Sequence, residues 1–187
     1  MTSLETDRVD GRGLEVRFTW AGDRYCHCVS ALDGEKRHPL LTAIAGDDRS
    51  DWPASPPFQQ VIGETRDTSR VALLVGMAGK SHWSASIESP NQDPQLTFDI
   101  ACLAQQEPAW LGSSYRVDAE AVTLCTDSMV LDSPAGKARL RIVTDASSPL
   151  DLDVQGRSAT IRVAVERNGF APQTLRWKYT VQLITSR

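Results

Sequence analysis

"VALLVGMAGKSHWSASIES", residues 71–89, admits two readings that lead to different folds. An apolar run, then glycines, then Gly79-Lys80-Ser81 invites a phosphate-binding loop and an α/β nucleotide enzyme. That loop needs G-x-x-x-x-G-K-[ST] between a strand and a helix. The first glycine belongs at position 74, where Leu74 stands, and Gly76 is out of place. The phosphates also need a helix N-terminus beneath them. The residues after Lys80 have period two instead: Trp83, Ala85 and Ile87 alternate with His82, Ser84, Ser86 and Glu88. Side chains alternate that way across a strand. The stretch therefore predicts a β-hairpin with "GMAGK" as its loop, and nucleotide binding at Gly79-Lys80-Ser81 ranks last among the functional readings.

The same period recurs on both sides. Leu14, Val16, Phe18 and Trp20 oppose Glu15, Arg17 and Thr19. Gly22-Asp23 then suits a two-residue type II′ hairpin turn into "YCHCVSAL". That turn pairs Trp20 with Tyr25, Phe18 with His27 and Val16 with Val29. Further strands are expected at 71–75, 82–88, 96–103, 122–125, 138–143, 159–166 and 175–184, with "RNGFAPQ" joining the last two as a hairpin. Residues 94–105 begin with Asp93-Pro94 in front and carry helical spacing at Leu96, Ile100 and Leu103, but Thr97, Phe98 and Ile100 favour strand.

Many short strands with turn signals between them predict an all-β chain, a two-sheet sandwich or jelly-roll-like barrel. One domain is expected over 1–187, with a loose tail at 1–12. Residues 33–69, rich in Pro, Asp, Ser and Gly, are expected to form a long irregular covering loop that lays Trp52, Phe58 and Ile62 on a sheet.

The composition is that of an ordinary globular chain, 41% hydrophobic and 24% charged, with a net charge of −4. It has none of the basic surplus usual in nucleic-acid binders. The polar start "MTSLETDRVDGRG" has no apolar signal region, and no run of eighteen apolar residues exists to span a membrane. A cytoplasmic location and reduced cysteines are the resulting expectations.

His82, Ser84, Ser86 and Glu88 form a row of hydrogen-bonding side chains on one strand face, suited to line a ligand groove. The same row suggests a hydrolase acting on a carbohydrate or ester, with Ser84 as nucleophile and His82 or Glu88 as acid–base groups. No G-x-S-x-G elbow accompanies it. "CHC" at 26–28 sends its two thiols to one face and His27, read as a core-edge histidine, to the other, so the three cannot share one ion. No metal or other cofactor is expected. Parity assigns Trp20, Trp83 and Trp177 to the core. Trp52 and Trp110 stand beside prolines in loops, where they can meet a ligand. Arg139, Arg141, Arg162, Arg176 and Lys178 share outward parity, as a basic face or as partners of residues such as Glu166.

No motif here carries a known family's residues at its spacing. The sequence favours a non-catalytic binding or interaction module, with a protein or glycan as partner and no nucleic acid or membrane. Its edge strands leave homo-oligomerisation open.

Overall fold

The computed structural model describes residues 2–47, 49–134, 138–145, 150–163 and 171–184. Fifteen strands succeed one another: β1 (Ser3–Glu5), β2 (Arg12–Ala21), β3 (Arg24–Asp33), β4 (Lys36–Ala43), β5 (Phe58–Thr65), β6 (Ser69–Ala78), β7 (Ser81–Pro90), β8 (Gln95–Ala104), β9 (Gly112–Val117), β10 (Ala121–Leu124), β11 (Ser128–Asp132), β12 (Arg139–Thr144), β13 (Leu150–Gln155), β14 (Ser158–Val163) and β15 (Gln173–Ile184). They form two antiparallel sheets. Sheet A runs β1-β2-β3-β4-β9-β14-β13 and sheet B runs β10-β11-β12-β15-β8-β7-β6-β5. Each sheet keeps two end strands, so the pair is a sandwich and not a closed barrel.

The decisive stretch is the β6–β7 hairpin. Ala78 pairs with Ser81, so Gly79 and Lys80 alone make the turn, and "GMA" belongs to the strand. Strand comes directly after Lys80, so no helix N-terminus stands where a phosphate loop needs one. The β2–β3 hairpin has the expected register: Trp20 faces Tyr25, Phe18 faces His27 and Val16 faces Val29. Residues 95–104 are strand, and β8 alternates inward Leu96, Phe98, Ile100 and Cys102 with outward Thr97, Asp99 and Ala101.

The core lies between the sheets. Trp177 and Val181 of β15, Phe98 and Ile100 of β8, and Ile87 of β7 meet Leu14, Val16, Phe18, Val29 and Tyr115 of sheet A. Each such side chain contributes about 1.5–3 kcal/mol on full burial. Phe98 and Tyr179 stack with ring centroids 4.9 Å apart.

Several expectations need correction. Residues 33–69 are not one loop: they contain all of β4 and β5, and among the described residues the longer irregular stretches are 44–47 and 49–57. Pro39 disguised β4. It is accommodated beside a bulge, where the β3–β4 register shifts between Val29 and Ser30, as prolines within sheets usually are. The covering part crosses from sheet A to sheet B. It buries Phe58 and sets Trp52 edge-on to Trp83 at 5.8 Å, but leaves Ile62 58% exposed. The described part of the expected tail, residues 2–12, is also structured. β1 pairs with β2, and Leu4 is buried opposite Val16. Arg37 there bridges two facing carboxylates, Glu15 at 3.1 Å and Glu5 at 3.7 Å. Trp20 is 51% exposed and not core: it sits at the hairpin tip, edge-on to Tyr25 with ring centroids 5.0 Å apart.

β14 and β15 do not form a hairpin. β14 pairs with β9 and β13 in sheet A, and β15 with β12 and β8 in sheet B. Most of "RNGFAPQ", and Glu166, lie outside the described residues. The supposed basic face is divided accordingly. Arg162 is on sheet A, while Arg139 and Arg176 on sheet B pair with Asp132 at 2.5 Å and Asp99 at 2.6 Å.

Candidate functional site

Two places on the molecule gather chemistry. The first is a furrow of about 490 Å³ across the outer face of sheet B. Its floor is low because small residues meet there: Ser84 of β7 lies between Val75 of β6 and Ala101 of β8. Larger neighbours raise the walls. His82 stands between Met77 and Leu103, with Gln60 and Thr174 closing the sides. One wall is fixed by Gln59 at the β5 bulge. Its side-chain amide accepts from Met77 N–H at 3.2 Å and donates to Met77 C=O at 3.3 Å, standing in for a ladder residue.

Period two thus puts His82, Ser84, Ser86 and Glu88 on one outward face, as expected, but only His82 and Ser84 enter the furrow. Ser86 sits between Leu73 and Asp99, and Glu88 between Val71 and Thr97. Six residues separate His82 from Glu88, about 20 Å along a strand. They cannot serve one reacting centre. Ser84 has neither a base nor a carboxylate directly across from it, so a nucleophile–base–carboxylate chain is not assembled. Trp52 packs against Trp83 over the end of the core, outside the furrow. Trp110 lies just before β9, beside the other sheet, where it lines a second depression with Asp151, Asp153 and Arg162.

The second place is internal, and the sequence did not point to it. His27 is not at the core edge but within it, 5% exposed. Its Nε2 lies 2.9 Å from the Tyr115 hydroxyl, which in turn hydrogen-bonds the Tyr179 hydroxyl across the two sheets. Trp177 Nε1–H donates to Ser113 Oγ at 3.4 Å in the same cluster. Burial lowers the His27 pKa from 6.5 to about 4, so the imidazole is neutral. Burial raises Tyr179 to about 12, and burial together with the facing Tyr179 raises Tyr115 well above its ordinary value. The cluster thus carries hydrogen bonds but no charge at neutral pH, as a buried polar network should. Its expected role is to lock the register of sheet A against sheet B. Tyr115→Phe removes the link between His27 and Tyr179 and leaves the imidazole without that partner. We expect a loss of about 2 kcal/mol, read by urea unfolding. A loss below about 0.5 kcal/mol would show that the network contributes nothing specific.

The cysteines offer no centre. All four are free, and burial raises Cys102 to about 12. Among the described residues, no group of three or more His, Cys, Asp or Glu is placed to hold a metal ion. Among them, too, no helix is long and apolar enough to cross a membrane. Comparison with known proteins finds no matching family model, no matching curated protein and no matching solved structure.

Proposed function

We propose that this chain is a non-catalytic binding module, and that the sheet B furrow takes an uncharged, extended peptide segment of a partner protein. One observation carries the reading. Of the six large apolar side chains exposed among the described residues, three (Val75, Met77 and Leu103) line the furrow around His82 and Ser84. Exposed apolar groups are ordinary singly, and their clustering marks interaction surfaces. The furrow lining contains no Asp, Glu, Lys or Arg, which favours a neutral segment over a charged one. The polar rim of Gln60 and Thr174 suits the amides of an extended chain, and the low floor at Ser84 and Ala101 suits one apolar anchor.

The test is selection from a displayed random-peptide library, followed by titration of the enriched peptides. Enriched sequences should carry an apolar anchor. Their dissociation constants should rise at least ten-fold in both Met77→Glu, which charges the wall, and Ala101→Phe, which fills the floor. Absence of enrichment, or enriched peptides indifferent to both substitutions, would refute the proposal.

A further inference from the structure

We infer that the outer face of sheet A carries a separate site for a neutral oligosaccharide, centred on Trp110. The site is a depression of about 450 Å³ lined by Trp110, Asp151, Asp153, Gln155, Ser158, Thr160 and Arg162. Its floor is the β13–β14 ladder. Asp151 faces Arg162, Asp153 faces Thr160, and Gln155 faces Ser158. Leu152 and Val154 on one strand, and Ala159, Ile161 and Val163 on the other, point into the core, so these six polar side chains point out. Two rows about 4.8 Å apart, each with members about 6.5–7 Å apart, make a polar strip about 13 Å long.

Trp110 is held at one end of the strip by β9. Leu111 C=O accepts from Val163 N–H at 2.9 Å, and Gly112 pairs with Arg162. A Cβ on Gly112 would stand 2.2 Å from Ile161 O, so only glycine lets the chain come this close and bring the preceding indole to the strip.

The groups fit a sugar better than other ligands. A pyranose offers an apolar C–H face and a rim of hydroxyls that both donate and accept. Trp110 supplies a flat apolar surface for the first. For the second, Asp151 and Asp153 accept, Arg162 and Gln155 donate, and Ser158 and Thr160 do both. Gln155 Nε2–H already donates to Asp153 Oδ2 at 3.1 Å, which fixes both side chains. Two carboxylates against one guanidinium disfavour phosphorylated or sulfated ligands. A single aromatic wall without an apolar pocket disfavours a peptide anchor.

The experiment is calorimetric titration with a panel of neutral oligosaccharides: gluco-, manno-, xylo- and N-acetylglucosamine-based. At least one series should bind saturably. Trp110→Ala and Asp153→Asn should each weaken it ten-fold or more, with the melting curve of Asp153→Asn unchanged because that side chain is exposed. Met77→Glu, in the sheet B furrow, should leave sugar binding intact. No binding at millimolar sugar overturns the inference, as does binding that survives Asp153→Asn and Trp110→Ala. Loss through Met77→Glu alone would move the sugar to the furrow and overturn it too. Peptide selection is read separately, so either site can fail without the other.

Discussion

Acidification from pH 6.5 to pH 4 is expected to remove about 3 kcal/mol of stability through one side chain, His27. Its imidazole is buried against Phe98 and Tyr115, and burial lowers its pKa from 6.5 to about 4. In the unfolded chain the same imidazole titrates near 6.5. Above pH 6.5 both states are neutral and the full stability is present. Between 6.5 and 4 the unfolded state binds the proton and the folded state does not, so stability falls at about 1.4 kcal/mol per pH unit. Below 4 both states are protonated and the loss levels off. Urea unfolding across this range, compared between the native chain and His27→Gln, isolates the effect. Glutamine does not titrate, and surface carboxylates act alike in both proteins. The native chain should lose about 3 kcal/mol more than the variant. Parallel stability–pH curves would sink this account of the core.

The parts of the fold legible from sequence were those where one face is buried and the other wet. β7 and most of β15 alternate cleanly, and the β2–β3 register came from the turn at Gly22-Asp23; β8 alternates too, but helical spacing at Leu96, Ile100 and Leu103 left its sequence ambiguous. β13 was missed, although its sequence carried a signal. "LDLDVQ" has period two, a signal able to locate the strip of Asp151, Asp153 and Gln155 beside Trp110. β4 and β9 were harder. Pro39 breaks the pattern of the first, and Ser113-Ser114 gives no apolar contrast in the second. Ser114 is buried because the crossing loop covers it, with Ser55 Oγ–H donating to its C=O at 2.9 Å. No local pattern encodes that contact.

The candidate sites show the same limit. The row from His82 to Glu88 could be read, but not which members share a concavity, because that depends on the neighbours that Ala101 and Met77 supply from other strands. Simple strand arithmetic does exclude joint chemistry by His82 and Glu88, since a six-residue separation is too long. The His27–Tyr115–Tyr179 chain joins residues 88 and 64 positions apart on both sheets. A lone histidine on an apolar face was its only trace in the sequence.

Gly76→Ala is expected to be among the most disruptive single-methyl additions to this chain. Gly76 is in β6 opposite Phe58, where the loop crossing from sheet A joins sheet B. An alanine Cβ there would lie 1.9 Å from Pro57 O and 2.9 Å from Phe58 Cα. These are backbone atoms, so no rotamer change relieves the overlap. Pro57 is flanked by Pro56 and by the buried Phe58, which leaves the segment little freedom to move aside. β5 must then separate from β6 at its first residue, or Phe58 must leave the core. Overpacking in a well-packed site usually costs about 1–3 kcal/mol, and a collision with main chain belongs at or above the top of that range. A loss of about 3 kcal/mol corresponds to a fall in melting temperature of about 10 °C at this chain length. Val75→Ala is the control. It alters the adjacent residue of β6 on the outer face, where the side chain is 47% exposed, and should change stability by less than about 0.5 kcal/mol. If Gly76→Ala melts with the native chain, the close approach of Pro57 to β6 is wrong. The route of the crossing loop, and with it the placement of Gln59 on the furrow wall, would then need revision.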